Sequence, residues 1–200
     1  MKALIIIDLQ NDFLPGGALA VPEGDKVIDR INEIQKKYDI VVATQDWHPA
    51  NHKSFASQHD EKNPFEVIDL NGIDQTLWPD HCIQGTKGAE LNDKLDQTRI
   101  EAIFRKGTNP EIDSYSGFYD NNKKKSTGLH GYLQELNVDQ LFICGLAADY
   151  CVYYTAIDAL NLGYSTTILE ESTKAIDQER YSRIKEEFTK AGGKISSYIL

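Results

Sequence analysis

The chain has 200 residues, 40% of them hydrophobic, and a formal net charge of −10. This length and apolar content suffice for one sizeable core, so we expect a single domain over residues 1–200. The negative charge argues against a nucleic-acid partner or another polyanion.

The N-terminal apolar run stops at Asp8. It is too short for a signal peptide or for a segment that crosses a bilayer, so we expect a soluble, cytoplasmic protein with no membrane partner. The three cysteines, Cys82, Cys144 and Cys151, form no paired framework. In a reducing compartment each would be buried, a metal ligand or reactive.

Short β-branched runs alternate with longer amphipathic segments, which is typical of parallel strands joined by helices. The predicted strands cover 3–7, 40–44, 100–104, 140–144, 165–169 and 194–198. The predicted helices cover 25–37, 127–136, 149–162 and 178–191. Between 47 and 99 the periodicity disappears, and we predict a long irregular excursion with one short strand at 65–68. The pattern predicts an α/β fold: a three-layer α/β/α sandwich around a six-stranded, mostly parallel, Rossmann-like sheet.

Reactive side chains follow the predicted strands. Asp8 ends the first, Asp46 and His48 follow the second, Lys106 follows the third, and Cys151 lies in the turn after the fourth. Each residue alone has an ordinary structural interpretation. Because ligands bind outside the carboxyl ends of parallel strands, the four together predict a site at one sheet edge.

Cys151 is the predicted nucleophile, since it follows a buried strand and a turn of small residues. Asp149 is predicted to cap the next helix, whose N-terminus would favour the thiolate, although the same segment also suits ordinary packing. Asp8 can accept the thiol proton, and the Lys106 ammonium favours both anions. Backbone N–H groups of Ala147 and Cys151 are the predicted oxyanion donors.

A second cluster predicts a metal centre. Asp46 and His48 are two residues apart, and His81 follows in the Trp78-Pro79-Asp80-His81-Cys82 segment. Imidazole and carboxylate ligands suit Zn²⁺, Fe²⁺ or Mn²⁺ and leave coordination positions open. The spacing alone is a weak signal, and His52 remains an additional candidate ligand.

These motifs resemble those of the nicotinamidase (pyrazinamidase) group of the isochorismatase-like cysteine hydrolases, from Ala3 to the final strand. The segments that carry the resemblance are Ile7-Asp8-Leu9-Gln10-Asn11-Asp12-Phe13 with Pro15-Gly16-Gly17, Thr44-Gln45-Asp46-Trp47-His48-Pro49, Trp78-Pro79-Asp80-His81-Cys82, Arg105-Lys106-Gly107, Tyr115-Ser116-Gly117-Phe118 and Gly145-Leu146-Ala147-Ala148-Asp149-Tyr150-Cys151-Val152.

The resemblance implies site residues in three groups. They are a catalytic triad of Asp8, Lys106 and Cys151, metal ligands Asp46, His48 and His81, and substrate-binding residues Phe13, Trp78 and Tyr115. It further implies a cis peptide before Ala147. His52 stays open, because it occupies a position that some relatives use as an extra ligand and others do not.

The implied activity is that of a metal-containing cysteine amidohydrolase acting on a linear amide. Nicotinamide would be hydrolysed to nicotinate and ammonia through a Cys151 thioester, in NAD salvage, with one divalent ion, zinc before iron or manganese. Activity on pyrazinamide and a homo-oligomeric state remain open. The alternatives are another amide or ester hydrolase of the superfamily, which has no reason to carry the metal ligands, and a non-enzymatic binding module.

Overall fold

The computed structural model of the chain describes residues 1–197, so Tyr198 of the last predicted strand lies outside the described residues. Its strands are β1 (Lys2–Ile7), β2 (Ile40–Asp46), β3 (Val67–Leu70), β4 (Ile73–Thr76), β5 (Ala102–Lys106), β6 (Gln140–Leu146), β7 (Ser165–Lys174) and β8 (Lys194–Ser196). Six of them form one sheet in the order β5-β2-β1-β6-β7-β8. Each neighbouring pair is parallel, which confirms the predicted sheet.

Helices cover both faces of this sheet. They are α1 (Ile28–Ile34), α2 (Leu129–Glu135), α3 (Tyr153–Asn161) and α4 (Gln178–Lys190). Alternate residues of each strand point to opposite faces, so Ile6 packs on the α1 side and Ile5 on the side of α2, α3 and α4. The predicted three-layer sandwich is confirmed.

The strands that lead into the site run further than predicted. Both β2 and β5 continue two residues beyond the predicted ends at 44 and 104, and Asp46 pairs with Lys106 in the ladder. The β7 strand continues to Lys174 after a register shift on β6 between Ile143 and Gly145. Polar residues at strand ends resemble loop residues in sequence, whereas here they remain within the ladder and are largely buried.

The excursion between residues 47 and 99 contains an antiparallel hairpin of β3 and β4. Its first strand is displaced from the predicted 65–68, and its second strand was not predicted. Asn71 and Gly72 connect the two with positive φ angles of 57° and 84°. An Asn-Gly pair between β-forming runs is a strong hairpin signal, so this element was predictable from the sequence.

The predicted helix at 149–162 begins with a π-helical turn, Ala148–Val152, that leads into α3. The prediction that Asp149 caps this helix is wrong. Its carboxylate instead accepts hydrogen bonds from the backbone N–H groups of Ile176 and Asp177, both at 2.9 Å. These groups lie in the loop after β7, which only the tertiary fold brings close. Among residues 1–197, no helix has the length and apolar character needed to cross a membrane.

Candidate active site and metal centre

The turn after β6 presents Cys151 at the carboxyl edge of the sheet. Gly145 has a φ of 106°, and a Cβ atom there would lie 2.1 Å from the carbonyl oxygen of Ile7, so no side chain fits. The peptide between Leu146 and Ala147 is cis, as the family resemblance implies. Cys151 follows in the π-helical turn, and its side chain is buried beside Ala147 in the wall of a pocket.

Lys106 is the centre of the polar cluster. Its buried ammonium lies 2.9 Å from Asp8 Oδ2 and 2.5 Å from Asp46 Oδ1, and it donates hydrogen bonds to the Ser114 carbonyl at 3.0 Å and Cys151 Sγ at 3.3 Å. Burial alone would lower the pKa of Lys106, but the Asp46 and Asp8 carboxylates raise it well above its usual value. Lys106 is therefore a fixed positive charge that joins the predicted nucleophile to the predicted metal ligand Asp46.

Asp8, the predicted proton acceptor, lies next to this charge. Its Oδ1 accepts a hydrogen bond from Thr44 Oγ1 at 2.6 Å, and its Oδ2 faces Lys106. Burial raises the pKa of Asp8 to about 6 despite the opposing effect of Lys106. The carboxyl group is therefore largely ionised near neutral pH and can take up a proton.

Burial also raises the pKa of the Cys151 thiol well above its usual value, and Lys106 only partly offsets this rise. Burial and the two carboxylates therefore oppose the thiolate that Lys106 favours. This opposition is consistent with the predicted role of Asp8 as acceptor of the thiol proton. One oxygen each of Asp8 and Asp46 and the Cys151 sulfur lie within 4.8 Å of one another, so this transfer is short.

Asp46, His48 and His81 converge as predicted, with one donor atom from each lying within 4.8 Å of the others. His48 Nδ1–H donates to the Gly107 carbonyl at 2.9 Å, and His81 Nδ1–H donates to the Pro79 carbonyl at 2.7 Å. With the proton on Nδ1, the neutral form of each ring carries its lone pair on Nε2. A backbone carbonyl behind each imidazole is typical of metal-binding histidines.

The charges of the three predicted ligands also suit a cation. Burial would raise the pKa of Asp46, but Lys106 and His48 lower it below its usual value, so the carboxylate is ionised. Burial and the neighbouring His48 lower the pKa of His81 to about 4, so this ring is neutral. Burial alone would lower the pKa of His48, but Asp46 raises it above its usual value, so a bound cation would have to displace a proton that Asp46 stabilises on this ring. One carboxylate and two imidazoles fit a zinc-like ion with open positions.

His52 lies beside this cluster but in a different hydrogen-bonding state. The Ser54 backbone N–H donates to His52 Nδ1 at 3.2 Å, and the Ser54 hydroxyl lies 2.7 Å from the same nitrogen. These contacts favour the neutral tautomer that is protonated on Nε2, which differs from that of His48 and His81, although Nε2 of His52 is buried with no hydrogen-bond partner among the described residues. His52, His48 and Asp113 also lie within mutual reach, so His52 stays an additional candidate ligand.

A mostly apolar pocket opens above the cysteine and the metal cluster. The predicted substrate-binding residues Phe13, Trp78 and Tyr115 all line it. Trp78 Nε1–H donates to Tyr115 Oη at 3.2 Å, and the Trp78 ring meets the Tyr150 ring edge-on at 4.8 Å. Aromatic walls of this kind suit a flat ring.

Four further lining residues were missed in the sequence, namely Leu19, Asp113, Tyr150 and Ile176. Tyr150 was within reach of prediction, because it precedes Cys151 directly. Asp113 lies in the loop after β5, two residues before Tyr115, and no pattern marked it. The site then holds three carboxyl groups, those of Asp8, Asp46 and Asp113, near the ammonium group of Lys106. A bound divalent cation would offset this excess of negative charge.

The chain is similar to known proteins over nearly its whole length. A model of the isochorismatase domain matches residues 2–198. The Escherichia coli nicotinamidase is 48% identical over 180 residues, which cover 88% of this chain and 84% of the relative.

Solved structures give the same result. An Acinetobacter baumanii nicotinamidase/pyrazinamidase superposes with a TM-score of 0.95 at 42% identity, covering 97% of this chain and 94% of that one. A Pyrococcus horikoshii pyrazinamidase, solved in complex with zinc, superposes with a TM-score of 0.80 at 39% identity, covering 98% and 99% of the two chains.

Proposed function

Because the chain belongs to the isochorismatase family, we propose that it is a nicotinamidase, which hydrolyses nicotinamide to nicotinate and ammonia in NAD salvage. One observation carries this proposal: Cys151 lines the same aromatic pocket as Asp46 and His81, and its sulfur contacts Lys106, which pairs with Asp8. A cysteine nucleophile and a ring-nitrogen anchor are the two elements that a pyridine carboxamide requires.

The reaction follows from the contacts of the polar cluster. Cys151 gives its proton to Asp8 while the sulfur attacks the amide carbon, and the carbonyl oxygen becomes an oxyanion near the Ala147 and Cys151 backbone N–H groups. Asp8 then returns the proton to the amide nitrogen, the C–N bond breaks and ammonia leaves a thioester. Water then gives a proton to Asp8 as its oxygen attacks the thioester, the C–S bond breaks, and Asp8 returns that proton to the sulfur; the released acid loses its proton to solvent and becomes nicotinate. Lys106 stabilises the sulfur anion as it forms before attack and again as the thioester breaks.

The ligand set Asp46, His48 and His81 would hold one divalent ion, and we propose zinc. A Pyrococcus relative of 39% identity was solved with zinc, which supports this choice. Such an ion supplies a Lewis-acidic position for the ring nitrogen, which orients the carboxamide without taking part in bond breaking. Pyrazinamide carries a ring nitrogen in the same relation to its amide, so we propose it as a second substrate.

The metal ligands distinguish this function from that of other hydrolases of the superfamily, because those enzymes do not need a metal ion to bind a ring nitrogen. A non-enzymatic binding module is disfavoured. Burying Asp8, Asp46 and Lys106 together costs desolvation free energy, and a binding scaffold does not require such a cluster. The single-domain organisation, the cytoplasmic location and a homo-oligomeric state remain predictions.

The test is ammonia release from nicotinamide and from benzamide, which has the same ring shape and amide but no ring nitrogen. We expect kcat/KM for nicotinamide on the zinc-loaded protein to exceed that for benzamide by a factor that can reach about 10⁴. Treatment with a chelator should remove most of this gap, and Cys151→Ala serves as the inactive control. Absence of ammonia from nicotinamide would refute the activity, and equal values for the two amides would refute the metal as ring anchor.

A further inference from the structure

Gln10 is a fully buried polar residue to which the proposed reaction assigns no role. Its amide contacts one residue of the metal cluster through both ends. Nε2 donates to the Asp46 carbonyl at 2.8 Å, and Oε1 accepts from the Asp46 N–H at 2.8 Å. The second Nε2 hydrogen goes to the Ala89 carbonyl at 2.9 Å. We propose that Gln10 is a positioning residue that holds Asp46 in the orientation required for metal binding.

The sheet itself does not provide these bonds. Strand β1 ends at Ile7, and its last ladder partner on β2 is Ala43, opposite Ile6. Asp8 then turns away with a φ of 44°, while β2 continues to Asp46. On this side of β2, the Gln10 amide takes the place of the missing strand. An amide side chain has the same donor and acceptor as a peptide group, so it can extend the ladder by one residue.

The orientation of Asp46 matters because its carboxylate has two close partners. Oδ1 lies 2.5 Å from Lys106 Nζ, and Oδ2 lies 3.7 Å from His48 Nε2. A small rotation of the Asp46 backbone would move both oxygens. Metal coordination tolerates only about ±0.2 Å in ligand distance, so the site is sensitive to such a rotation. Gln10 does not line the substrate pocket, and its effect would therefore reach the reaction through Asp46.

A second buried glutamine provides a matched control. Gln45 Nε2 donates to the same Ala89 carbonyl, at 2.8 Å, and its Oε1 accepts from Arg105 Nε at 3.1 Å. Within residues 1–197, the hydrogen bonds of its side chain go to Ala89 and Arg105 and not to Asp46. Gln10→Glu and Gln45→Glu are both isosteric and both remove a donor to Ala89. Only Gln10→Glu also removes the donor to the Asp46 carbonyl. It replaces that donor with a carboxylate oxygen, which repels the carbonyl oxygen.

The measurement is the dissociation constant for Zn²⁺, obtained by competition with a chromophoric chelator, together with the visible spectrum of the Co²⁺-loaded proteins. We expect Gln10→Glu to weaken Zn²⁺ binding by about 10- to 100-fold, the range typical of residues that orient metal ligands. Its Co²⁺ absorption bands should also shift. Gln45→Glu should keep both properties of the wild-type protein. Urea unfolding of the metal-free proteins separates these effects from general destabilisation.

Equal loss of Zn²⁺ affinity in both variants, or wild-type affinity in Gln10→Glu, would overturn the assignment. If Gln10→Glu does not fold, Gln10→Met tests the same contact without an added charge, because it removes the Gln10 partners of both the Asp46 N–H and the Asp46 carbonyl. The inference rests on the metal site of the proposed function but not on the substrate. A protein that binds Zn²⁺ with the expected Gln10 dependence and releases no ammonia from nicotinamide would refute only the proposed activity.

Discussion

Gly107 lies directly behind the metal cluster, and Gly107→Ala is expected to disrupt it. The residue has a φ of 62°, and a Cβ atom there would lie 2.3 Å from His48 Cε1 and 2.5 Å from His48 Nδ1. Carbon atoms in contact normally stay roughly 3.5 to 4.0 Å apart, so the imidazole must move by about 1 Å or more. The His48 Nδ1–H bond to the Gly107 carbonyl would be strained by the same movement.

The variant has two separable effects. An alanine in the left-handed region costs about 1 to 2 kcal/mol, which lowers the free energy of unfolding. Displacement of His48 from the ligand set weakens Zn²⁺ binding by about 10- to 100-fold, as loss of a ligand's supporting bond commonly does. We expect kcat/KM for nicotinamide at limiting Zn²⁺ to fall in parallel.

Gly163→Ala is the matched control, since Gly163 has a φ of 91° but no atom lies within 4 Å of the added Cβ. It should lose a similar amount of unfolding free energy while its Zn²⁺ dissociation constant remains that of the wild-type protein. The measurements are urea unfolding of the metal-free proteins and chelator competition for Zn²⁺. Should Gly107→Ala bind Zn²⁺ as tightly as Gly163→Ala, His48 is not a ligand in the geometry described here.

Three further outcomes are expected. Cys151→Ala should abolish ammonia release with little change in urea stability, because it removes the nucleophile but only one buried sulfur atom. Loss of a single general catalyst already lowers turnover by about 10²-fold or more, so a variant that keeps above about a tenth of wild-type turnover would rule out Cys151 as the nucleophile. Asp8→Asn and Lys106→Met should each lose most of kcat, and the double variant should be little worse than the poorer single one, whereas multiplicative losses would show that the two residues act independently. Lys106→Met should also cost about 3 to 5 kcal/mol of stability, since it leaves buried carboxylates unpaired. His81→Gln should lose bound Zn²⁺ in metal analysis while His52→Gln retains it, and equal metal loss in both would place His52 in the ligand set.

Much of the fold was determined by local sequence patterns. Apolar runs and amphipathic segments specify a strand or helix within a few residues, so the order of the elements and the parallel sheet followed from the sequence. The parallel arrangement then implied that Asp8, Asp46, Lys106 and Cys151 meet at one edge, and the structure brings them together. The Asn71-Gly72 hairpin also had a local signal, although it was overlooked.

Only the tertiary structure decided the state of these groups. The partners of Asp149 lie 27 and 28 residues further along the chain, so its local cap pattern was misleading. Burial among carboxylates raises the pKa of the Cys151 thiol, and the contacts of His52 with Ser54 set its ring apart from those of His48 and His81. Protonation and tautomer depend on desolvation and on neighbours set by packing. Residue types and their spacing encode neither, which is why the sequence named the residues of the site but not their chemical condition.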